Sequence, residues 1–304
     1  MQEDSSQPSP DAPHRCGYIA IVGRPNVGKS TLLNRLIGQK LSITSKRAQT
    51  TRHRILGVLT RPDAQLLFFD SPGYQTRNAN ALNRVLNRTA QQIAQDADVV
   101  VLVCDASGWT RGDEQFAKLL PTDRPVLLAI NKVDTVDDKA RLLPMVEQIC
   151  RVRQFDEVVP LSARSGKQVD LLVDLCVARL PEGEAMFEED ELTDRGERFQ
   201  ASELIREKIF RLLGDEIPYE STVVIEKYEE LPKLRRIFAT VLVDRDAQKA
   251  IVLGAGGERL KRIATEARID LERMLGTKVY LEVFVKVRSG WADNEQGLRA
   301  YGYE

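Results

Sequence analysis

Short runs in which every position is apolar recur through the first part of the chain. Residues 18–22, 66–69, 99–103, 126–130 and 158–161 are such runs, and polar or turn residues follow them: Gly23, Asp70, Asp105, Asn131 and Ser162. A strand wetted on one face alternates apolar and polar residues, whereas a strand covered on both faces need not. Amphipathic segments separate the runs; the first, 30–38, stops at Gly38. The pattern predicts an α/β domain with a mostly parallel sheet between two helical layers.

The rhythm changes after residue 180. Residues 181–191 lose periodicity and concentrate acid (Glu182, Glu184, Glu188, Glu189, Asp190, Glu191). A helix follows over 199–213, with Phe199, Leu204, Ile205, Ile209, Leu212 and Leu213 on one stripe. Strands are expected at 222–226, 236–243 and 280–287, and helices near 245–252 and 257–275. That order predicts an α+β unit with a three-stranded sheet. The organisation expected is a disordered tail (1–15), a first domain (16–180), an acidic linker (181–198) and a second domain (199–304).

Composition narrows the class only slightly. The net charge of −1 does not announce a nucleic-acid binder, although an average can hide a basic face. Cys16, Cys104, Cys150 and Cys176 lie far apart and form no metal-binding spacing. No apolar run is long enough to span a bilayer, and the first residues lack the apolar core of a secretory signal. A reduced, cytoplasmic protein is expected.

Gly23-Arg24-Pro25-Asn26-Val27-Gly28-Lys29-Ser30 has the form G-x-x-x-x-G-K-S and lies between the first strand and the first helix, where Thr31 follows. Glycines let successive N–H groups curl around phosphates, Lys29 reaches the β- and γ-phosphates, and the Ser30 hydroxyl ligates Mg²⁺. Asp70-Ser71-Pro72-Gly73 is the second phosphate-sensing element: Asp70 holds a Mg²⁺-bound water and the Gly73 N–H meets the γ-phosphate. Asn131-Lys132-Val133-Asp134 selects guanine. The Asp134 carboxylate accepts from guanine N1–H and N2, Asn131 contacts the other edge and the Lys132 stem covers the face. Adenine would leave that carboxylate unpaired. Ser162-Ala163-Arg164 matches the element whose Ala163 N–H meets guanine O6.

Together these elements resemble the translation-factor-related class of small GTPases over residues 16–180. The resemblance puts a first switch at 45–54, where Thr50 or Thr51 contributes to Mg²⁺, with Thr51 preferred. Lys29, Thr51, Asp70 and Gly73 then form the catalytic set. Many GTPases follow D-x-P-G with a water-orienting glutamine; here Tyr74 stands in its place, with Gln75 displaced by one. His53 reads as a surface or RNA contact more readily than as a base. Asn26 matches relatives that hold K⁺ beside the phosphates. Slow intrinsic hydrolysis of GTP to GDP is expected.

Gly254-Ala255-Gly256-Gly257 is a G-x-x-G element after an apolar run, followed by Arg259, Lys261 and Arg262. Such a loop lets a nucleic-acid backbone approach the next helix N-terminus. Lys286 and Arg288 can extend the basic surface. With Gln49-Thr50-Thr51-Arg52-His53-Arg54, Thr193-Asp194-Arg195, Asp215-Glu216-Ile217-Pro218-Tyr219 and Lys286–Asp293, the chain resembles the Era family of bacterial GTPases, which end in a type II KH domain. The resemblance implies binding to the 3′ end of small-subunit (16S) ribosomal RNA during assembly and maturation of that subunit. Separately, a monomer is expected, and with no lipidation motif or basic amphipathic tail any membrane association is expected to be weak and peripheral. Two departures stand out. Ala255-Gly256 carries no lysine and is followed by Glu258, and Ser71 replaces the family's threonine. The competing expectations are an RNA chaperone with GTP as a structural ligand, and a GTPase acting through a protein or membrane partner.

Overall fold

The computed structural model describes residues 13–45, 50–76, 81–214, 217, 221–292 and 298. Residues 1–12 of the expected tail, Lys46 to Gln49 of the first switch, and Asp215, Glu216, Pro218, Tyr219 and Asp293 lie outside them.

The first domain is built on a six-stranded sheet in the order β2-β3-β1-β4-β5-β6. Its strands are β1 (Arg15–Val22), β2 (Ile55–Thr60), β3 (Ala64–Asp70), β4 (Val99–Asp105), β5 (Val126–Asn131) and β6 (Glu157–Pro160). All neighbours pair in parallel except β2 with β3. In β4, Val99, Val101 and Val103 face one core while Val100, Leu102 and Cys104 face the other. This double burial is why the run has no polar position. Helices α1 (Lys29–Ile37) and α5 (Val169–Val177) cover the first face. Helices α2 (Ala81–Asp96), α3 (Arg111–Ala117) and α4 (Leu142–Val152) cover the second. Cys16, Cys104 and Cys176 are buried, and Cys150 on α4 is exposed.

The second domain has α6 (Glu197–Leu212), β7 (Ser221–Leu231), β8 (Leu234–Val243), α7 (Asp246–Leu253), α8 (Glu258–Leu275) and β9 (Lys278–Val287). β7 and β8 form an antiparallel hairpin, and β8 pairs with β9 in parallel after the helical crossover. Ile205 and Ile209 of α6 and Ile263, Ala267 and Leu271 of α8 bury against Ile237, Ala239 and Val241 of β8. No described helix is long and apolar enough to cross a membrane.

Three boundaries differ from expectation. β1 begins at Arg15, inside the expected tail, because Arg15 enters the ladder with Ala64 of β3; Arg15 also bridges to Glu182, and His14 Nδ1 bonds to the Gly183 carbonyl. The acidic segment is docked along its backbone. Buried Gln65 accepts from the Met186 and Phe187 N–H groups at 2.7 and 3.0 Å, and Val58 N–H donates to Leu192 O at 2.9 Å. Its acidic side chains Glu184, Glu188, Glu189, Asp190 and Glu191 are exposed, as solvation requires. α6 starts at Glu197, two residues before the expected start of the helix at Phe199.

The domains meet along α6. Arg52 is buried; its Nη1 donates to Ser221 O at 2.8 Å, and its guanidinium lies 5.9 Å from the Phe210 ring centre. His53 packs edge-on against Phe199, and Lys40 bonds Glu207 at 2.5 Å.

Candidate active site

The phosphate loop leaves β1 at Gly23 and enters α1 at Lys29. Its curl relies on left-handed backbone at Gly28 (φ 100°), where a Cβ would fall 2.2 Å from Asn131 Nδ2. Gly73 is constrained by space, since a Cβ there would meet the Pro25 nitrogen at 2.7 Å. The second sensing element is therefore pressed against the loop, and Tyr74 N–H donates to Gly23 O at 3.1 Å.

Lys29 is buried, and its Nζ donates to the Gly23 and Arg24 carbonyls, each at 3.0 Å. Burial lowers its pKa to about 8, against the opposing pull of Asp70. Burial likewise pushes the Asp70 carboxyl above its ordinary range, while Lys29 and the bonded hydroxyls pull it down. Asp70 Oδ2 accepts from Ser30 Oγ and Ser42 Oγ, both at 2.7 Å, and from Thr51 Oγ1 at 3.2 Å. Ser30 and Thr51 hydroxyls lie 2.7 Å apart. Asp70 Oδ1 is buried without a partner among the described residues. Two hydroxyls and a carboxylate with an unused oxygen suit a hard cation such as Mg²⁺. Of the two candidate threonines, Thr51 has its hydroxyl at this cluster.

The guanine elements sit on adjoining strand ends. Asn131 Nδ2 donates to Val27 O at 2.8 Å, and its Oδ1 accepts from Lys132 N–H and Ala163 N–H at 2.8 and 2.9 Å. Asn131 thus braces this end of the cavity as well as lining it. The Ala163 N–H, expected to face guanine O6, is donated to Asn131 here. Lys132 takes left-handed backbone (φ 68°), and its Nζ donates to Asn26 O and Asp105 Oδ2, each at 2.6 Å. Asp134 is exposed in the short turn that follows.

These groups surround a cavity of about 790 Å³. Its lining takes in Pro25, Asn26, Gly28 to Thr31, Thr50, Thr51, Gly73, Asn131, Lys132, Asp134, Ala163 and Arg164, with Phe210 and Arg211 from α6. Gly23, Arg24, Val27, Asp70, Ser71, Pro72 and Ser162 stand behind that lining. Arg24 pairs with Asp113 at 3.0 Å, and Ser71 Oγ donates to Ile21 O at 2.9 Å. Tyr74 stacks on Phe116, and Gln75 Nε2 bonds Asn83 Oδ1 at 2.6 Å on α2. Neither replaces a water-orienting glutamine in this arrangement.

Sequence reasoning missed two supports. Ser42 reaches Asp70 because Asn34 Oδ1 accepts from the Leu41 and Ser42 N–H groups at 2.9 and 2.8 Å. Arg35 Nε donates to Ala163 O at 3.1 Å, and its Nη2 donates to Arg164 O, fixing the base loop from α1. Asn34 and Arg35 sit on polar positions of an amphipathic helix, which carry no signal of their own.

In the second domain, Gly254, Ala255, Gly256 and Gly257 form a tight turn between α7 and α8, with Gly256 at φ 58° and Gly257 at φ 81°. Ala255 and Gly256 are exposed at its tip. Arg259, expected to reach RNA, donates its Nη1 to Ile251 O at 2.6 Å and so braces the turn. Arg262 pairs with Glu266 at 2.9 Å, and Lys261 is exposed. Lys286 pairs with Glu226 at 3.2 Å on the outer face of the sheet.

Fold and site define a P-loop GTPase domain joined to a KH domain. The family model described as "50S ribosome-binding GTPase" matches residues 18–132, and the one described as "KH domain" matches 216–292. GTPase Era of Bordetella petrii is 54% identical over 97% of this chain and 99% of its own length. GTPase Era of Nitrosomonas eutropha is 50% identical over 96% and 98%. The chain belongs to the Era family of GTPases. Among solved structures, Era in complex with MgGDPNP and nucleotides 1506–1542 of 16S ribosomal RNA superposes with a TM-score of 0.92 at 40% identity, covering 95% of this chain and 99% of that one. A variant of Aquifex aeolicus Era bound to GDP and aluminium fluoride gives 0.91 at 40% identity over the same shares.

Proposed function

We propose that the chain binds GTP and GDP with Mg²⁺, hydrolyses GTP slowly, and in its GTP form binds the 3′ end of small-subunit (16S) ribosomal RNA during assembly of that subunit. The observation that carries this reading is the meeting of Ser30 and Thr51 with Asp70 behind them, beside Lys29, at a cavity that Asp134 also lines. Ser30, Thr51 and Asp70 would hold Mg²⁺, which would supply positive charge to offset that of the phosphates. Lys29, whose Nζ lies at the Gly23 and Arg24 carbonyls, would donate to those phosphates, with the loop N–H groups at the α1 N-terminus completing the cradle. Gly73, pressed on Pro25, is placed to report whether a third phosphate is present. Asn26, exposed and left-handed at the lip of the loop, is the position for K⁺, to be checked by comparing turnover in K⁺ and Na⁺.

The RNA half of the reading rests on the turn 254–257, on Lys261, and on likeness to the Era crystallised with 16S ribosomal RNA. On this reading the protein is a cytoplasmic monomer, checked by sedimentation and by flotation with anionic vesicles. Affinity for a short RNA matching the 16S 3′ end, titrated at fixed salt with GDPNP and then GDP, tests the whole. Several-fold tighter binding with GDPNP is expected. Equal affinity in the two states sinks the switch, and absence of specific binding sinks the RNA role.

A further inference from the structure

Helix α6 belongs to the second domain, yet four of its charged residues, Glu203, Arg206, Glu207 and Lys208, are buried. Arg206 is 1% exposed and Glu203 is 3% exposed. The pair is bidentate: Arg206 Nε donates to Glu203 Oε1 at 2.8 Å and Nη2 to Oε2 at 2.6 Å. The same Nη2 also donates to the carbonyl of Thr50, 156 residues earlier in the other domain. Burial alone would raise the Glu203 carboxyl; Arg206, with His53 and Arg52 adding, holds it below its usual range. Arg52, next in the same stretch, is itself anchored in the second domain at Ser221 O and over Phe210, whose ring Arg206 also approaches at 5.3 Å.

The carbonyl of Thr50 and the N–H of Thr51 belong to one rigid peptide plane. Fixing that carbonyl fixes the direction in which Thr51 leaves the plane, and Thr51 Oγ1 is the atom found at Ser30 and Asp70. We propose that Arg206, held in place by Glu203, is a positioning residue for Thr51. It makes triphosphate binding and hydrolysis in the first domain depend on the docking of α6 from the second. The proposal rests on the reading that Thr51 joins the Mg²⁺ site. Linkage then runs both ways: a ligand that moves α6 alters GTP binding, and GTP binding alters α6.

Removing Arg206 alone would strand a buried carboxylate, so the test uses the neutral double variant Arg206→Gln/Glu203→Gln. Affinities for GDPNP and GDP are measured with and without Mg²⁺ on the full chain. The expected result is a loss of about tenfold for GDPNP with Mg²⁺, within the usual span of coupling between sites, and GDP affinity unchanged within about twofold. Arg206→Lys keeps a buried charge beside Glu203 but lacks the planar fork that serves Glu203 and Thr50 together. It is expected to lose GDPNP affinity by a smaller factor, again sparing GDP, and it carries the test should the double variant not fold. Thr51→Ala runs alongside. If Thr51→Ala weakens Mg²⁺-dependent GDPNP binding while the folded Arg206 variants match the parent protein, the positioning role falls and the Mg²⁺ reading stands. If Thr51→Ala is itself silent, the Mg²⁺ reading falls and takes the proposal with it.

Discussion

Lys132 Nζ bonds the Asp105 carboxylate and the Asn26 carbonyl at the same 2.6 Å, so one ammonium group joins the ends of β5 and β4 to the phosphate loop. Burial raises the Asp105 carboxyl, but Lys132 and Ser107 outweigh it and hold the carboxyl below the usual range. A depressed carboxylate stabilises the fold at pH above its unfolded value, and that contribution is lost as pH falls through the folded pKa. Asp105→Asn should therefore lower the melting temperature near neutral pH and flatten its fall on acidification; because the same Lys132 also holds Asn26 O, GDP binding should weaken several-fold as well. Lys132 is 36% exposed, so solvent screening keeps the effect to about 1 kcal/mol or less. Thermal melting and GDP titration of both proteins between acid and neutral pH are the checks.

Asp134→Asn replaces an acceptor-only group with one that carries donors toward guanine N1–H and N2. The loss of a charge-assisted bond is worth roughly 1.5–3 kcal/mol, or about 10- to 150-fold in GDP affinity. Xanthine nucleotides, whose C2 oxygen accepts a bond, should suffer far less. Competition between GDP and XDP reads the change directly, and equal losses for both would mean that Asp134 does not read the base.

Removal of Mg²⁺ by chelation should lower GDPNP affinity in the parent protein and have little further effect in Ser30→Ala or Thr51→Ala. Thr50→Ala should keep the chelation response of the parent, because the hydroxyl found at Ser30 and Asp70 is that of Thr51. Hydrolysis and affinity across the three variants decide which hydroxyl belongs to the metal site.

The first domain's fold was legible because its central strands are buried on both faces, and its candidate site residues could be named because a phosphate loop and an N-K-x-D motif at strand ends have few alternative uses. β2 was missed: it is an edge strand, short, and interrupted by Gly57, which lies close against Ile37 and Leu33 of α1. The buried face of α6 was missed for a different reason. Polar residues on an amphipathic helix read as its wet face, and nothing in a single sequence says that a second domain covers it. Arg259 illustrates the same limit, since a basic residue after a glycine turn looks alike whether it meets phosphate or the Ile251 carbonyl.

Gly256→Asp tests the turn between α7 and α8. A side chain has open space there, with no atom within 4 Å of an added Cβ, but φ of 58° strains a β-carbon and the new charge would face phosphate. RNA affinity should fall by at least about tenfold with GTP hydrolysis unchanged in the absence of RNA. Unchanged RNA binding would place the RNA surface elsewhere.

Gln65→Leu removes the side chain that receives the Met186 and Phe187 N–H groups and donates to Phe187 O at 2.8 Å. Leaving those backbone groups unsatisfied costs about 1–3 kcal/mol. A lower melting temperature with unaltered GDP affinity is expected from calorimetry and nucleotide titration.

The pairing of Arg15 with Glu182, and the seating of Phe187 and Leu192 on the first domain, decide where that domain can be cut free. A fragment ending at residue 180 would bare an edge of β1, orphan Gln65 and uncover apolar surface, inviting aggregation. One ending just beyond Leu192 keeps those contacts but gives up α6 and all that follows, and with them the partners of Lys40, Arg52 and the Thr50 carbonyl. Its nucleotide turnover set against that of the full chain therefore reads what the second half contributes.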